Sequence, residues 1–371
     1  MFHSVFRVPA GAISAGRVRV PRERRGNSRG RIFVFLVLLF IAAFGTAPAV
    51  SREIFDMAGR RVDIPDTIRS VYGCTPPGTY LLYALAPDLI AGLNFPLNSE
   101  QKKILPDVIT GLPVVGGWFG QGQTPNLETL LSAKPDIAIV SSFSGFGIDG
   151  KIEKRLAAFG IPIVYVRLDS MAAYPEAFQF LGSLFGREER GNELAGYATR
   201  TLEEIRKILE SIPVSERVTV YYAEGGDGLQ TECNGSFHAE LISLCGGKNV
   251  HICETGSRVG MEKVSLEQVL YYAPRVIVTH EAAFFDGIFS NASWQSIPAV
   301  YNRKVFLIPS LPFNWFDRPP SFMRFLGAKW LIQKLYPDAC TIDIAAETRS
   351  FFKLFLDVSL SDAQVRGLMA P

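Results

Sequence analysis

Two stretches of this chain, NLETLLSAKPDIAIVSS at 126–142 and SLEQVLYYAPRVIVTHE at 265–281, carry the same design 139 positions apart. Each opens on a residue suited to cap a helix, Asn126 or Ser265, because its side chain accepts from the free amides of the first turn. Ser265 and Gln268 also have the spacing of a capping box. An apolar helical run follows and stops at Pro135 or Pro274, since proline cannot continue a helix. A β-branched strand comes next in both copies. One such cassette is common in α/β proteins; two in the same setting predict a chain built twice.

The flanks agree. Before the first cassette, IRSVYG (68–73) reads as a strand, followed by the helix LLYALAPD and a short strand LIAGL. Before the second, RVTVYY (217–222) is a strand and AELISLCGGKNV a helix with a glycine-marked turn. After them, RLAAFGIPIVYV (155–166) and WQSIPAVYNRKVFLI (294–308) each give helix, Ile-Pro turn and strand. Apolar, β-branched strands alternating with helices predict an α/β fold with mostly parallel sheets covered on both faces. The 371 residues suffice for two lobes with their own cores.

The amino-terminal 49 residues read differently. Residues 32–44, IFVFLVLLFIAAF, are an unbroken apolar run preceded by eight arginines and followed by Ala47-Pro48-Ala49. That is the layout of a secretory signal peptide cleaved near Ala49. A run of 13 is short against the ~20 residues of a membrane span; an uncleaved anchor formed by 32–44 is the alternative. Without this leader, 30 basic face 35 acidic residues, so the apparent basicity belongs to the leader and no nucleic-acid surface is indicated. All five cysteines (Cys74, Cys233, Cys245, Cys253, Cys340) lie in the exported part. Their odd number leaves at least one unpaired within the chain. Cys233, Cys245 and Cys253 are close enough in sequence to include one disulfide, and a structural Cys233/Cys245 pair is favoured over a metal-binding one because the spacing fits no zinc pattern.

Residues 175–213 join the halves. From Arg190 to Ser211, Leu194, Tyr197, Ala198, Leu202, Ile205, Ile208 and Leu209 recur at helical spacing, with Glu203, Glu204, Arg206, Lys207 and Glu210 opposite. Such a helix spans about 30 Å and restricts hinging. An export leader, two repeated α/β lobes and one helical strut resemble the cluster A (class III) substrate-binding proteins of ABC importers. Within these the chain is similar to the periplasmic binding family that handles iron–siderophores, haem and cobalamin. IFDMAGRRVDIPDTIRSVYG, ALAPDLIAGL, PNLETLLSAKPDIAIV, GSFHAELISLCGGKNV and SLEQVLYYAPRVIV carry the resemblance, which covers 53–340. It implies a leader at 1–49, an N-terminal Rossmann-like lobe at 50–174, a long rigid helical connector at 175–213 and a C-terminal lobe with terminal helices at 214–371. It further implies a periplasmic monomer that binds a small metal chelate between the lobes and delivers it to an inner-membrane permease and its ATPase, with no cofactor of its own.

In parallel α/β sheets, ligands sit beyond the carboxyl ends of the strands. This rule selects Tyr72, Cys74, Trp118, Phe119, Gln121, Ser141 and Phe143 in the first half, and Tyr222, Glu224, Asp227, His280, Phe284, Trp315 and Arg318 in the second. Large rigid aromatics beside a few charges suit a bulky chelate or macrocycle, whereas a bare transition metal needs several converging ligands. Some of these rings are expected to pack the cores. GGWFGQGQ and PFNWFDRPP, rich in Gly and Pro, read as surface loops. His280 follows a strand directly and is a candidate contact or axial ligand; Arg318 pairs either with an anionic ligand group or with a nearby carboxylate. His238 and His251 receive no role.

The resemblance also implies a surface Glu on the first helix of each lobe for docking to the permease. Glu240 holds that place in the second lobe; the first has Tyr80 instead. Two readings compete. A chelatase-like tetrapyrrole or metal enzyme needs a placed acid and base, for which Glu224 and His280 are the candidates, yet no nucleophile elbow, phosphate loop or metal-ligand helix motif is present. A sensor that presents a chelate to a receptor shares every feature. A nickel complex or a metal oxyanion remains open as ligand.

Overall fold

In a computed structural model, residues 51–118, 124–142, 150–253 and 260–369 are described. The leader, Phe119, Gln121 and Phe143 lie outside them. The chain enters through a hairpin, β1 (Ser51–Phe55) and β2 (Arg61–Pro65), paired antiparallel. Its turn is shaped by Asp56, whose Oδ1 accepts from the amides of Ala58 and Arg60 at 3.0 Å each. Oδ2 of the same residue accepts from the Tyr165 amide at 3.2 Å, which fixes the hairpin to the first lobe.

That lobe contains β3 (Val71–Gly73), α1 (Pro76–Leu85), α2 (Ser99–Ile104), α3 (Asp107–Thr110), α4 (Leu127–Ala133), β4 (Ile137–Ser142), α5 (Gly150–Ala158) and β5 (Ile163–Arg167). Next come the connecting helices α6 (Tyr174–Leu184) and α7 (Glu188–Glu210). The second lobe holds β6 (Thr219–Ala223), β7 (Gln230–Thr231), α8 (Glu240–Leu244), β8 (Lys248–Asn249), β9 (Glu262–Lys263), α9 (Leu266–Tyr272), β10 (Val276–Thr279), α10 (Ala282–Ile288), α11 (Pro298–Tyr301) and β11 (Val305–Leu307). The chain ends in α12 (Arg324–Leu335), α13 (Ile344–Leu356) and α14 (Asp362–Met369).

The two parallel sheets run β3-β4-β5 and β8-β6-β10-β11. Their strands correspond in order: β3 to β6, β4 to β10, β5 to β11. The strand expected at 89–93 is reduced to two isolated bridges, Val71 with Ile90 and Leu93 with Val114. The segment divides its backbone bonds, with Ala91 donating to Val71 at 2.9 Å and Leu93 to Pro113 at 2.8 Å, so no continuous ladder forms. Ile90 nonetheless stands where β8 stands in the other lobe.

The duplicated cassettes agree down to their caps. Asn126 Oδ1 accepts from the Thr129 amide at 3.0 Å, and Ser265 Oγ from the Gln268 amide at 3.2 Å. Both helices then end on a left-handed residue that is not glycine, Lys134 (φ 46°) and Ala273 (φ 44°), just before the proline. One reversal thus turns each helix into its strand at the same point.

The strut is held along its length. Gly182 of α6 and Gly191 of α7 let the two backbones touch: a Cβ on Gly191 would stand 2.6 Å from the Phe178 carbonyl oxygen. The buried face of α7 carries Leu194, Tyr197, Ala198, Thr201 and Ile205. Its polar side is engaged too, because Lys329 of α12 pairs with Glu204 at 2.9 Å and with Glu347 of α13 at 3.0 Å. The terminal helices and the first lobe both pack on the connector. Phe355 stacks on Phe351 at 4.3 Å and lies 6.0 Å from Phe178, while Arg190 of α7 donates to Ala84 O at 3.1 Å. Across the lobes, Gln101 Nε2 donates to Pro312 O at 2.8 Å, and Tyr80 packs on Phe313 at 4.4 Å. One apolar core therefore runs from first lobe to second through the connector, and two smaller clusters fill the outer side of each sheet.

Candidate functional site

The carboxyl ends of β6 and β10 and the loop after β11 meet in one polar cluster. Strand β6 is buried and apolar, so Tyr222 packs its ring against Phe316 at 5.0 Å and carries its hydroxyl to the strand end. That hydroxyl donates to Asp317 Oδ1 at 2.6 Å, and His280 Nδ1 lies 3.0 Å from it. Asp317 is placed by an Asn314 turn, in which Oδ1 accepts from the amides of Phe316 (2.7 Å) and Asp317 (3.2 Å). The other oxygen of Asp317 meets His238 Nδ1 at 2.8 Å. Arg318 reaches the opposite way: Nε donates to Glu224 Oε1 at 2.8 Å and Nη2 to Glu232 Oε1. Ser236 donates to the second Glu232 oxygen at 2.7 Å.

Glu224, Glu232 and Asp317 are fully buried, and a single guanidinium faces all three. Burial pushes the Glu224 carboxyl up to about 8, against the pull of Arg318, so it holds a proton at neutral pH. Its Oε2 has no partner. Burial also opposes the Asp317 charge, but His238, Arg318 and Tyr222 outweigh it and hold that carboxyl below its ordinary value. Burial lowers the His280 imidazole below its ordinary value despite Asp317 and Glu281. Because the Tyr222 proton goes to Asp317, His280 Nδ1 must be the donor to Tyr222, and Nε2 keeps a bare lone pair. Glu281 Oε1 stands 3.3 Å from that nitrogen and favours a proton or a cation there.

Of the residues expected at the rim, Tyr222, Glu224, His280 and Arg318 come together here. His238, given no role from the sequence, and Glu232 complete the cluster; neither carries a local motif that marks it. In the first lobe, Thr75 and Ser141 share a hydroxyl hydrogen bond of 2.6 Å at the ends of β3 and β4. Trp118 packs edge-on against Tyr72 at 5.9 Å and donates its amide to Cys74 O at 2.8 Å. Tyr72 is buried, its hydroxyl held by Gly116 O at 3.0 Å. Burial also pushes the Cys74 thiol up, leaving it a core residue.

Several expectations are corrected. Trp315 is fully buried and donates Nε1–H to Leu311 O at 2.9 Å, and PFNWFDRPP is core where a surface loop was expected. Phe284 fills the space over Gly228, where a Cβ would come 2.2 Å from its ring, and packs on Trp294 at 5.0 Å. Asp227 is an exposed turn residue that accepts from the Leu229 amide at 3.0 Å. Glu240 is not a free docking acid: Oε1 accepts from the Met171 amide and Oε2 from the fully buried Arg324, both at 2.8 Å. A buried guanidinium needs that carboxylate. Tyr80, its counterpart, is buried against Phe313. The disulfide joins Cys233 to Cys253, not to Cys245, which is buried and donates to Ala328 O at 3.2 Å. A groove of about 1050 Å³ lies elsewhere, between α1, α7 and α13, and no residue of the rim lines it.

The sequence profile described as periplasmic binding protein matches residues 118–312. A solute-binding protein of an ABC transporter from Sulfurospirillum deleyianum has a similar structure, with 40% identity, a TM-score of 0.80, and coverage of 86% of this chain and 99% of that one. The molybdate-binding protein MolA of Haemophilus influenzae is 24% identical over 87% of this chain and 96% of its own length. A vitamin B12-binding protein of Vibrio cholerae is 27% identical over 53% of this chain and 67% of its own.

Proposed function

Because this chain belongs to the periplasmic binding protein family of ABC transporters, we propose that it captures a small metal complex in the periplasm and hands it to an inner-membrane permease and ATPase. The observation that carries this reading is His280: an imidazole held below its ordinary value by burial at the end of β10, its Nδ1 held 3.0 Å from Tyr222 and its Nε2 3.3 Å from Glu281. A hydrogen bond that fixes one ring nitrogen is the usual support for a ligating histidine. Asp317, held below its ordinary carboxyl value, stands behind the same Tyr222 hydroxyl and favours a complex whose metal carries positive charge. Trp118, half-buried near the strand ends of the first lobe, adds an aromatic contact. The vitamin B12-binding relative takes a ligand of this class. The leader at 1–49 would supply export, and residues 32–44 are the segment that would anchor an uncleaved form.

A second reading, a metal oxyanion, is favoured by the molybdate-binding relative that matches over nearly its whole length. It requires free donors. Arg318 is already committed to three carboxyl groups, and the ionised Asp317 among them repels an oxyanion. Native mass spectrometry with elemental analysis of protein purified from its own host separates the two. A stoichiometric metal complex that is lost in His280→Ala supports the first reading; molybdenum or tungsten retained in that variant supports the second. Turnover of a bound molecule without any permease would contradict both.

A further inference from the structure

Away from the rim, four metal-ligating side chains converge: Cys233, His251, Cys253 and Glu262, with donor atoms all within 4.8 Å of one another. We propose that, when Cys233 and Cys253 are reduced, these four residues bind one divalent ion of the zinc class. The disulfide and the metal site are then two states of one device. A tetrahedral zinc site places its donors about 3.3–3.8 Å apart. Here His251 Nε2 lies 3.0 Å from Glu262 Oε2, and the Glu262 oxygens lie 3.3 Å and 3.6 Å from the sulfurs of Cys233 and Cys253. A carboxylate gains nothing from a closed disulfide, whose sulfurs have no proton to donate. Beside thiols or a thiolate-bound cation it has a partner.

The ligands are aimed by backbone that does not depend on the disulfide. Glu262 sits on β9 opposite Thr231 of β7, one residue from Glu232 and two from Cys233. The Asn234 amide donates to His251 O at 2.9 Å, and Asn249 Nδ2 to Glu232 O at 2.9 Å. Tyr272 Oη stands 2.9 Å from His251 Nδ1. A tyrosine hydroxyl both donates and accepts, so it holds the ring when Nδ1 carries the proton and Nε2 is free to ligate. The half-exposed Glu262 gives an ion a way in.

The chemistry balances through an external dithiol. Two electrons and two protons pass from it to the Cys233–Cys253 bond, giving two thiols, and the donor becomes a disulfide. On metal binding each thiol gives its proton to solvent and its sulfur lone pair to the ion. Cys74, Cys245 and Cys340 are buried and lie outside this cluster.

Cobalt(II) titration of the whole chain, with and without prior reduction by a phosphine, tests the proposal. The reduced protein should bind one equivalent, with thiolate-to-cobalt absorption in the near ultraviolet and tetrahedral bands in the visible, both abolished by Zn²⁺. The oxidised protein should show neither. Glu262→Gln and His251→Ala should each weaken apparent affinity about tenfold or more, Cys233→Ser/Cys253→Ser should remove the spectrum, and Cys74→Ala/Cys245→Ala/Cys340→Ala should keep it. A reduced protein with a native circular dichroism spectrum but no thiolate–cobalt band overturns the proposal. So does a band that survives Cys233→Ser/Cys253→Ser, or a reduced protein that unfolds and is not restored by the ion.

Discussion

Arg318 stands against Glu224, Glu232 and Asp317, all of them fully buried. Removing one partner of a buried ionic cluster leaves the rest uncompensated, at a cost of about 3–5 kcal/mol. Arg318→Ala should lose stability of that order in denaturant titrations, and part of the loss should return in mild acid, where the carboxylates gain protons. Glu224 gives a second, opposite handle. Its folded value of about 8 lies above the ~4.3 of an unfolded glutamate, so the native state binds the proton more tightly. The stability this supplies is complete below the unfolded value and is lost as pH rises through about 8. Melting temperature should therefore fall between pH 6 and 9 in the wild type, and the slope should flatten in Glu224→Gln. Equal slopes in the two proteins would contradict the assignment.

The helices test how the chain reverses direction. Lys134 and Ala273 hold the left-handed conformation without being glycine, and such a residue costs roughly 1–2 kcal/mol. Ala273→Gly should relieve much of that and stabilise the protein by about 1 kcal/mol, net of glycine's greater chain entropy. Gly191→Ala should do the reverse, costing about 1–3 kcal/mol, because its Cβ would meet the Phe178 carbonyl at 2.6 Å. Thermal melts read both. These elements were legible in the sequence because their signals are local: cap, apolar period, proline, strand. Asn126 and Ser265 cap as their residue types predict. The hairpin β1–β2 escaped notice, although the alternation in RVDIP around the Asp56 turn was its signal. The site was legible only in part. Tyr222, Glu224, His280 and Arg318 follow from the strand-end rule. Glu232, His238 and the Cys253 partner come from segments whose meeting depends on packing, and the same packing turned Trp315, Phe284 and Glu240 inward.

At the scale of the molecule, the lobes share one core. Helices α6, α7, α12 and α13 tie them together, as do the Gln101–Pro312 hydrogen bond and the Tyr80–Phe313 contact. A binding protein built this way grips its ligand with side chains at preformed rims, and wide lobe closure would break that shared core. The two rims are unlike, with the Thr75 and Ser141 hydroxyls and Trp118 on one and an acid–imidazole cluster at Tyr222, His280 and Asp317 on the other. On the proposed function, His280 completes the coordination of a bound metal complex. Calorimetric titration of the ligand-free protein with nickel–histidine, ferric hydroxamate and cobinamide complexes, and with molybdate, in the wild type and in His280→Ala, tests it most directly. One of the metal complexes should bind saturably, one to one, and His280→Ala should lose at least about tenfold in affinity. Binding of molybdate alone, or a metal complex bound equally well by His280→Ala, would contradict it.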